Sequence, residues 1–256
     1  MNSVIEKEIE IRTADGTADG FVYQPDGGKG PWPGVLHLTD IGGIRPANIE
    51  LSKRVAAAGY SVLMPNVFYR TGTPPLFTPP FTIGDAAFMK RVGELRAPLT
   101  PDALRGDAAA YVDFLAKLPG VKPGKFAVTG YCFTGAMAML VAALHPDKIG
   151  ALATFHAAGL YKDDPSSPHL LLPRIKARLY FGHAFEDRGM TAEAIEKFNR
   201  ALDAWGGKYE SETYAGAHHG WTMPDMPVYN QPQAERAFSK LLELFSETIA
   251  TKRAAS

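Results

Sequence analysis

The sequence predicts an α/β fold, with a mostly parallel central sheet, helices on both faces and an antiparallel hairpin at its N-terminal edge. Two observations carry this expectation. Short apolar runs alternate with helix-like stretches along most of the chain, the order that builds parallel sheets through crossover helices. The first strand-like segments instead alternate apolar with charged or polar residues, as a half-wetted antiparallel pair does. At 256 residues the chain has room for one large domain with an ample core. Residues 1–256 are expected to form that single domain, with a lid-like or pocket-lining insertion at 66–99 and a short flexible tail at 251–256.

The elements follow in order. Residues 5–11 and 20–23 flank the turn sequence Ala14-Asp-Gly16 and predict the hairpin. Residues 34–38 form a short continuous apolar run, which is how a central buried strand reads. The amphipathic stretch 49–58 ends at Gly59 and leads into a strand at 60–64 before Pro65, completing a strand, helix, strand unit. Beyond it the pattern predicts a helix at 102–118, a strand at 125–129, a helix at 135–144 and strands at 151–155 and 177–181. A helix at 192–205, a strand at 209–214 and a helix at 233–249 complete the series. Residues 66–99 break the alternation and carry Phe68, Tyr69, Phe77, Phe81, Phe88 and five prolines. A connection this long is often a lid or a binding loop, and its aromatic rings either line a pocket or pack the loop onto the body.

Composition removes several classes of function. The 27 Lys and Arg residues balance 27 Asp and Glu without any basic stripe, which argues against nucleic acid or anionic lipid as a partner. No apolar stretch approaches the ~20 residues of a membrane span. One cysteine excludes an intrachain disulfide framework and a Cys-rich zinc site, and the charged start does not read as a secretory signal. The expectation is a cytoplasmic protein that acts on a small molecule without metal or cofactor.

That single cysteine, Cys132, lies in Val128-Thr-Gly-Tyr-Cys-Phe-Thr-Gly135, between a predicted strand and a predicted helix. Strand, sharp turn and helix form the elbow that presents a nucleophile, and the flanking glycines suit a turn that tolerates little bulk. The first turn of a helix also favours the thiolate through the positive end of the macrodipole. A thiolate nucleophile needs a base, and the base needs an orienting carboxylate. Two loops directly after predicted strands supply both. Residues 182–191 contain Glu186 and Asp187, of which the shorter Asp187 is preferred; residues 215–221 contain His218 and His219, of which His219 is preferred because it precedes Gly220. The other histidines have ordinary readings: His37 inside a strand, His145 at a helix end, His169 in a polar loop, and His156 and His183 at strand ends.

Taken together, the motifs make the chain similar to the dienelactone hydrolases, a branch of the α/β-hydrolase fold with a Cys-His-Asp triad. The resemblance covers roughly residues 20–245 and rests on Gly130-Tyr-Cys-Phe-Thr-Gly135, on Asp187 in its loop, and on Gly216-Ala-His-His-Gly220. It implies a hydrolase of carboxylic esters or lactones acting through a thioester, with Cys132, His219 and Asp187 as its triad. The backbone N–H groups of Phe133 and Ile41 would form the oxyanion hole. It also implies that Asp40, where the family usually carries Glu, contacts the thiol and tunes it. Tyr131, His156, Trp221, Met223, Phe77 and Phe81 are candidates for the substrate pocket.

The pattern departs from the family at three places. Thr134 replaces a glycine of the elbow, Met223 stands where the family has a substrate-binding arginine, and Arg70, Arg91 and Arg96 all compete for the role of a second one. The loss of a charge-assisted contact at Met223 argues that dienelactone itself is not the natural substrate. The same thiolate would also suit a phosphotriester or thioester. A non-hydrolytic ligand-binding or redox-sensing cysteine protein is the alternative of another class.

Overall fold

The computed structural model describes residues 3–28, 30–77 and 82–250. The expected tail at 251–256 and Phe81 lie outside the described residues. Eight strands form one sheet: β1 (Val4–Arg12), β2 (Thr17–Pro25), β3 (Gly34–Leu38), β4 (Ser61–Pro65), β5 (Phe126–Tyr131), β6 (Ile149–Phe155), β7 (Arg178–Ala184) and β8 (Tyr209–Tyr214), in spatial order β1-β2-β4-β3-β5-β6-β7-β8. The β1–β2 and β2–β4 pairs are antiparallel and the other pairs are parallel. Strand β1 stays largely wet, as its alternating charges require, whereas every residue of β3, β4 and β5 is buried.

Helices cover both faces. On one side α1 (Pro46–Ala57) and α6 (Gln231–Thr248) bury Val55, Ala237, Leu241 and Phe245. On the other, α3 (Pro101–Lys117), α4 (Thr134–Leu144) and α5 (Ala192–Trp205) bury Val112, Leu115, Met139, Phe198 and Leu202. Sharp ends fix α5: the Thr191 side chain caps its start by accepting from the Ala194 N–H, and Gly206 ends it in the left-handed conformation at φ 71°. None of the described helices is long and apolar enough to cross a membrane.

Residues 66–99 differ from the expected loop. They contain a helix, α2 (Ala86–Arg96), capped by Asp85 accepting from the Phe88 N–H. It buries only Leu95, so it presents almost none of the apolar stripe by which a helix is read from sequence. A short 3₁₀ helix, Pro168–Arg174, was also not expected.

The strand order reverses beside β3. Helix α1 carries the chain from β3 to β4 on one side, and the next strand, β5, returns to pair on the other side of β3. Loops leaving the carboxyl ends of β3 and β5 diverge at this switch point, where open α/β sheets form their binding crevices.

Two histidines inside the sheet make the fold acid-sensitive. Burial lowers the pKa of His37 from 6.5 to about 4, against the opposing hydrogen bond to Asn48 and charge of Asp40; burial lowers His183 likewise to about 4, against the charge of Asp187. Between pH 6.5 and 4 the unfolded chain therefore binds more protons than the native one. Stability falls with pH in that window, by roughly 3 kcal/mol per histidine at pH 4. Denaturant unfolding at pH 7 and pH 4.5 checks this: His183→Gln is expected to flatten the pH slope by about one proton. An unchanged slope would mean that His183 does not contribute.

Candidate active site

Strand β5 ends at Tyr131 and α4 starts at Thr134, leaving two residues to turn the chain. Cys132 takes φ 58°, a left-handed conformation that costs a non-glycine residue energy and exposes its side chain at the tip of the turn. The glycines on either side are sterically required. A Cβ on Gly130 would lie 2.5 Å from the Thr134 carbonyl oxygen, and one on Gly135 would collide with the Ala157 methyl. Thr134, the departure from the expected glycine, holds the turn: its hydroxyl accepts from the Tyr131 N–H at 2.9 Å and lies within donating distance of the Tyr131 and Leu38 carbonyls at 2.8 and 3.1 Å.

The turns after β7 and β8 converge on Cys132. The Cys132 Sγ is 3.1 Å from His219 Nε2, and His219 Nδ1 is 2.6 Å from Asp187 Oδ2. The second carboxylate oxygen of Asp187 accepts from the Gly189 N–H at 2.7 Å, so the carboxylate is fixed from both ends. The two turns are tied to each other where the Phe185 N–H donates to the Ala217 carbonyl at 2.7 Å. Thus Asp187, not Glu186, and His219, not His218, join the cysteine.

Electrostatics favour a charged imidazole here. Burial works against the imidazolium, but hydrogen bonds to Asp187 and Cys132 and the charges of both outweigh it, raising the His219 pKa from 6.5 to about 10. His156 behaves oppositely: burial first, then the charge of His219, hold its pKa well below 6.5. Its neutral ring meets His219 edge-on at 5.2 Å, with Nε2 2.8 Å from the Thr222 hydroxyl.

Cys132 and His219 open into a cleft of about 220 Å³. Much of its apolar wall comes from the 66–99 insertion, through Pro75, Leu76, Phe77, Ile83 and Phe88, and Ile41, Ile44 and Met226 add to it. The insertion therefore lines a pocket. Among the described residues, the backbone N–H groups of Ile41 and Phe133 have no acceptor. Ile41 lines the cleft, while the Phe133 ring turns away to pack on Phe68. No three His, Cys, Asp or Glu side chains among the described residues form a metal-holding group.

Several expected pocket residues lie elsewhere. Phe77 and His156 line the cleft, but Tyr131, Trp221 and Met223 are buried behind it. Tyr131 stacks on Phe155 and Trp221 on Tyr214, so both serve the core. None of the three arginine candidates reaches the cleft. Arg70 is locked between Asp15 and Asp107, Arg91 binds the Leu76 carbonyl and Glu94, and Arg96 lies over the Phe133 ring in a neighbouring groove.

Asp40 does reach the cleft, without the expected contact to the thiol. Its carboxylate is bound by Arg45, by the Asn48 amide at 3.2 Å and by the Gly42 N–H at 3.1 Å. Arg45, which sequence reasoning passed over, bridges Asp40 to Asp225 across the cleft wall. Its place directly after Gly42-Gly43-Ile44, in the loop leaving a central strand, was the available signal.

Comparison with known proteins agrees with this architecture. A carboxymethylenebutenolidase of Rhodococcus opacus is 27% identical over 84% of this chain and 81% of its own length. A Synechocystis protein given the same name provisionally is 27% identical over 90% of this chain and 92% of its own. Among solved structures, a provisionally assigned dienelactone hydrolase from Klebsiella pneumoniae superposes with a TM-score of 0.84 at 20% identity, covering 96% of this chain and all of the other. A dienelactone hydrolase-like promiscuous phosphotriesterase from metagenomic libraries gives a TM-score of 0.79 at 21% identity, covering 97% of this chain and all of the other. The model of the dienelactone hydrolase family matches residues 18–249, and the chain accordingly belongs to that family as a hydrolase of the dienelactone hydrolase type, built on the α/β-hydrolase fold.

Proposed function

We propose that the protein hydrolyses small carboxylic esters or lactones through a thioester on Cys132. The observation that carries this reading is the unbroken line of hydrogen-bond distances, 3.1 Å from thiol to imidazole and 2.6 Å from imidazole to carboxylate, built on three separate strand-end turns. The Cys132 thiolate, whose proton already rests on the charged His219 ring, attacks the acyl carbon, and His219 delivers that proton to the leaving alkoxide. A water enters, His219 removes its proton, and the hydroxide attacks the thioester carbonyl, releasing the acid and restoring the thiol. Asp187 orients the ring and stabilises its charged form. The N–H groups of Ile41 and Phe133 are the donors we assign to the developing oxyanion, each worth about 3–4 kcal/mol when correctly aimed. A thiolate nucleophile functions in a reducing compartment, which supports a cytoplasmic setting.

The test is a panel of aryl acetate, aryl butyrate, an unsaturated lactone and an aryl phosphotriester, given to the wild type and to Cys132→Ser. Turnover of an ester or the lactone, lost by about 10³-fold or more in the variant, is the expected result. Ester turnover that survives the substitution would sink the assignment of Cys132. Turnover of the phosphotriester alone would move the reaction to phosphorus.

A further inference from the structure

The guanidinium in the cleft wall is already satisfied. Among the described residues lining the cleft, Arg45 is the one that carries a guanidinium or ammonium group. Its Nε donates to Asp225 Oδ2 at 2.6 Å and its Nη2 to Asp225 Oδ1 at 3.1 Å. On its other edge, Nη2 donates to Asp40 Oδ2 at 2.9 Å and Nη1 donates to Asp40 Oδ1. Four of the five N–H donors are therefore used, in two forks that each match a carboxylate. The seat is built for the guanidinium: a Cβ on Gly42 would collide with it. Its side chain is 18% exposed, and two carboxylates against one cation leave the cluster with an excess negative charge.

We propose that Asp225 makes this cleft select uncharged substrates, because with Asp40 it occupies the cation that would otherwise receive a substrate carboxylate. The inference rests on Cys132 being the reacting atom of the proposed hydrolase and narrows its substrate class to neutral esters or lactones with an apolar acyl group. A carboxylate entering the cleft meets apolar side chains from the insertion on one wall and a cluster with excess negative charge on the other, while the His219 imidazolium is already paired with Asp187 and Cys132. Asp225 is the member of the cluster that can be removed with least damage. Its side chain is 41% exposed, whereas Asp40 is buried and also holds Asn48 and Gly42. Removing the Asp225 charge frees one edge of the guanidinium to pair with an anion.

Alkylation of Cys132 tests this independently of hydrolysis. Iodoacetamide and iodoacetate differ by one carboxylate, and the ratio of their rates, normalised to a free thiol, reads the charge preference of the cleft. The wild type is expected to disfavour iodoacetate, and Asp225→Asn to raise the iodoacetate-to-iodoacetamide ratio at least tenfold. Asp225→Glu should keep the ratio low, and the double variant Arg45→Gln/Asp225→Asn should lose the gain. A purely structural role for Asp225 would change both alkylation rates together; a constant ratio would overturn the proposal. Aryl succinate and aryl butyrate esters, compared in parallel, should show the same change in relative kcat/KM. If neither ester reacts through Cys132, the hydrolase reading fails, while the alkylation ratio still decides the charge preference.

Discussion

Asp187→Asn is expected to lower kcat on an aryl ester by about 10³-fold or more with Cys132 still in place. The expectation follows from what each atom of Asp187 does. One oxygen sits 2.6 Å from His219 Nδ1 and holds its N–H, which aims Nε2 at the sulfur and sustains the charged ring; the other is held by the Gly189 N–H. An asparagine amide in this position can present its NH₂ group to Nδ1, which moves the ring proton to Nε2 and points a donor at sulfur. The nucleophile then loses its base although the geometry is kept. Gly189 belongs to the same device, since a Cβ there would approach Ala158 Cβ to 2.7 Å and the Asp187 carboxylate to 3.2 Å.

The same substitution has a signature that loss of folding would not produce. The wild-type imidazole titrates near 10 because Asp187 and Cys132 outweigh its burial. Since this pKa is raised above 6.5, the stability it contributes is fully present below pH 6.5 and is lost as pH rises through about 10. In Asp187→Asn the titration seen by NMR of the His219 ring should move down, and the alkaline decline in stability should flatten. A ring that still titrates near 10 would show that Asp187 is not what sustains the charge.

The sequence was most legible where local chemistry and tertiary structure agree. The limits of α5 and β8 were read correctly because Thr191 and Gly206 mark the helix ends and a short polar-alternating strand follows. The candidate site was legible for a related reason. Cys132, Asp187 and His219 each occupy a turn immediately after a strand, so three short-range patterns sufficed to nominate residues that are distant in the chain. Neighbours of those residues were harder to place. Successive side chains alternate along a strand, so Tyr131, directly before the nucleophile, stacks on Phe155 in the core instead of entering the cleft. Arg45 was missed because its meaning depends on a carboxylate 180 positions away, and no periodicity encodes that pairing. Helix α2 was missed because it buries only Leu95 and lends the cleft a single side chain, Phe88, which leaves most of its own surface wet.

Gly130→Ala should damage both fold and activity, and Gly93→Ala separates the reason from ordinary loss of glycine. The methyl at position 130 would meet the Thr134 carbonyl oxygen at 2.5 Å and the Gly135 Cα at 2.9 Å. Both are backbone atoms at the start of α4, so no rotamer change relieves the overlap; the turn itself must shift. Overpacking of this kind costs about 1–3 kcal/mol. For a chain of this size that corresponds to a fall in Tm of roughly 3–10 °C. Cys132 lies two residues beyond, already at φ 58°, and a displacement of its sulfur by about 1 Å from His219 would cost about 10²-fold in rate. Gly93 lies inside α2, and a Cβ there meets nothing within 4 Å. Alanine at 93 should instead stabilise by about 0.5–1 kcal/mol through lower chain entropy and better helix propensity. Thermal unfolding and ester kinetics on the two variants are therefore expected to move in opposite directions for stability, with activity lost only at 130. If Gly130→Ala unfolds at the wild-type temperature and keeps its rate, the close approach of β5 and α4 is not what fixes the cysteine.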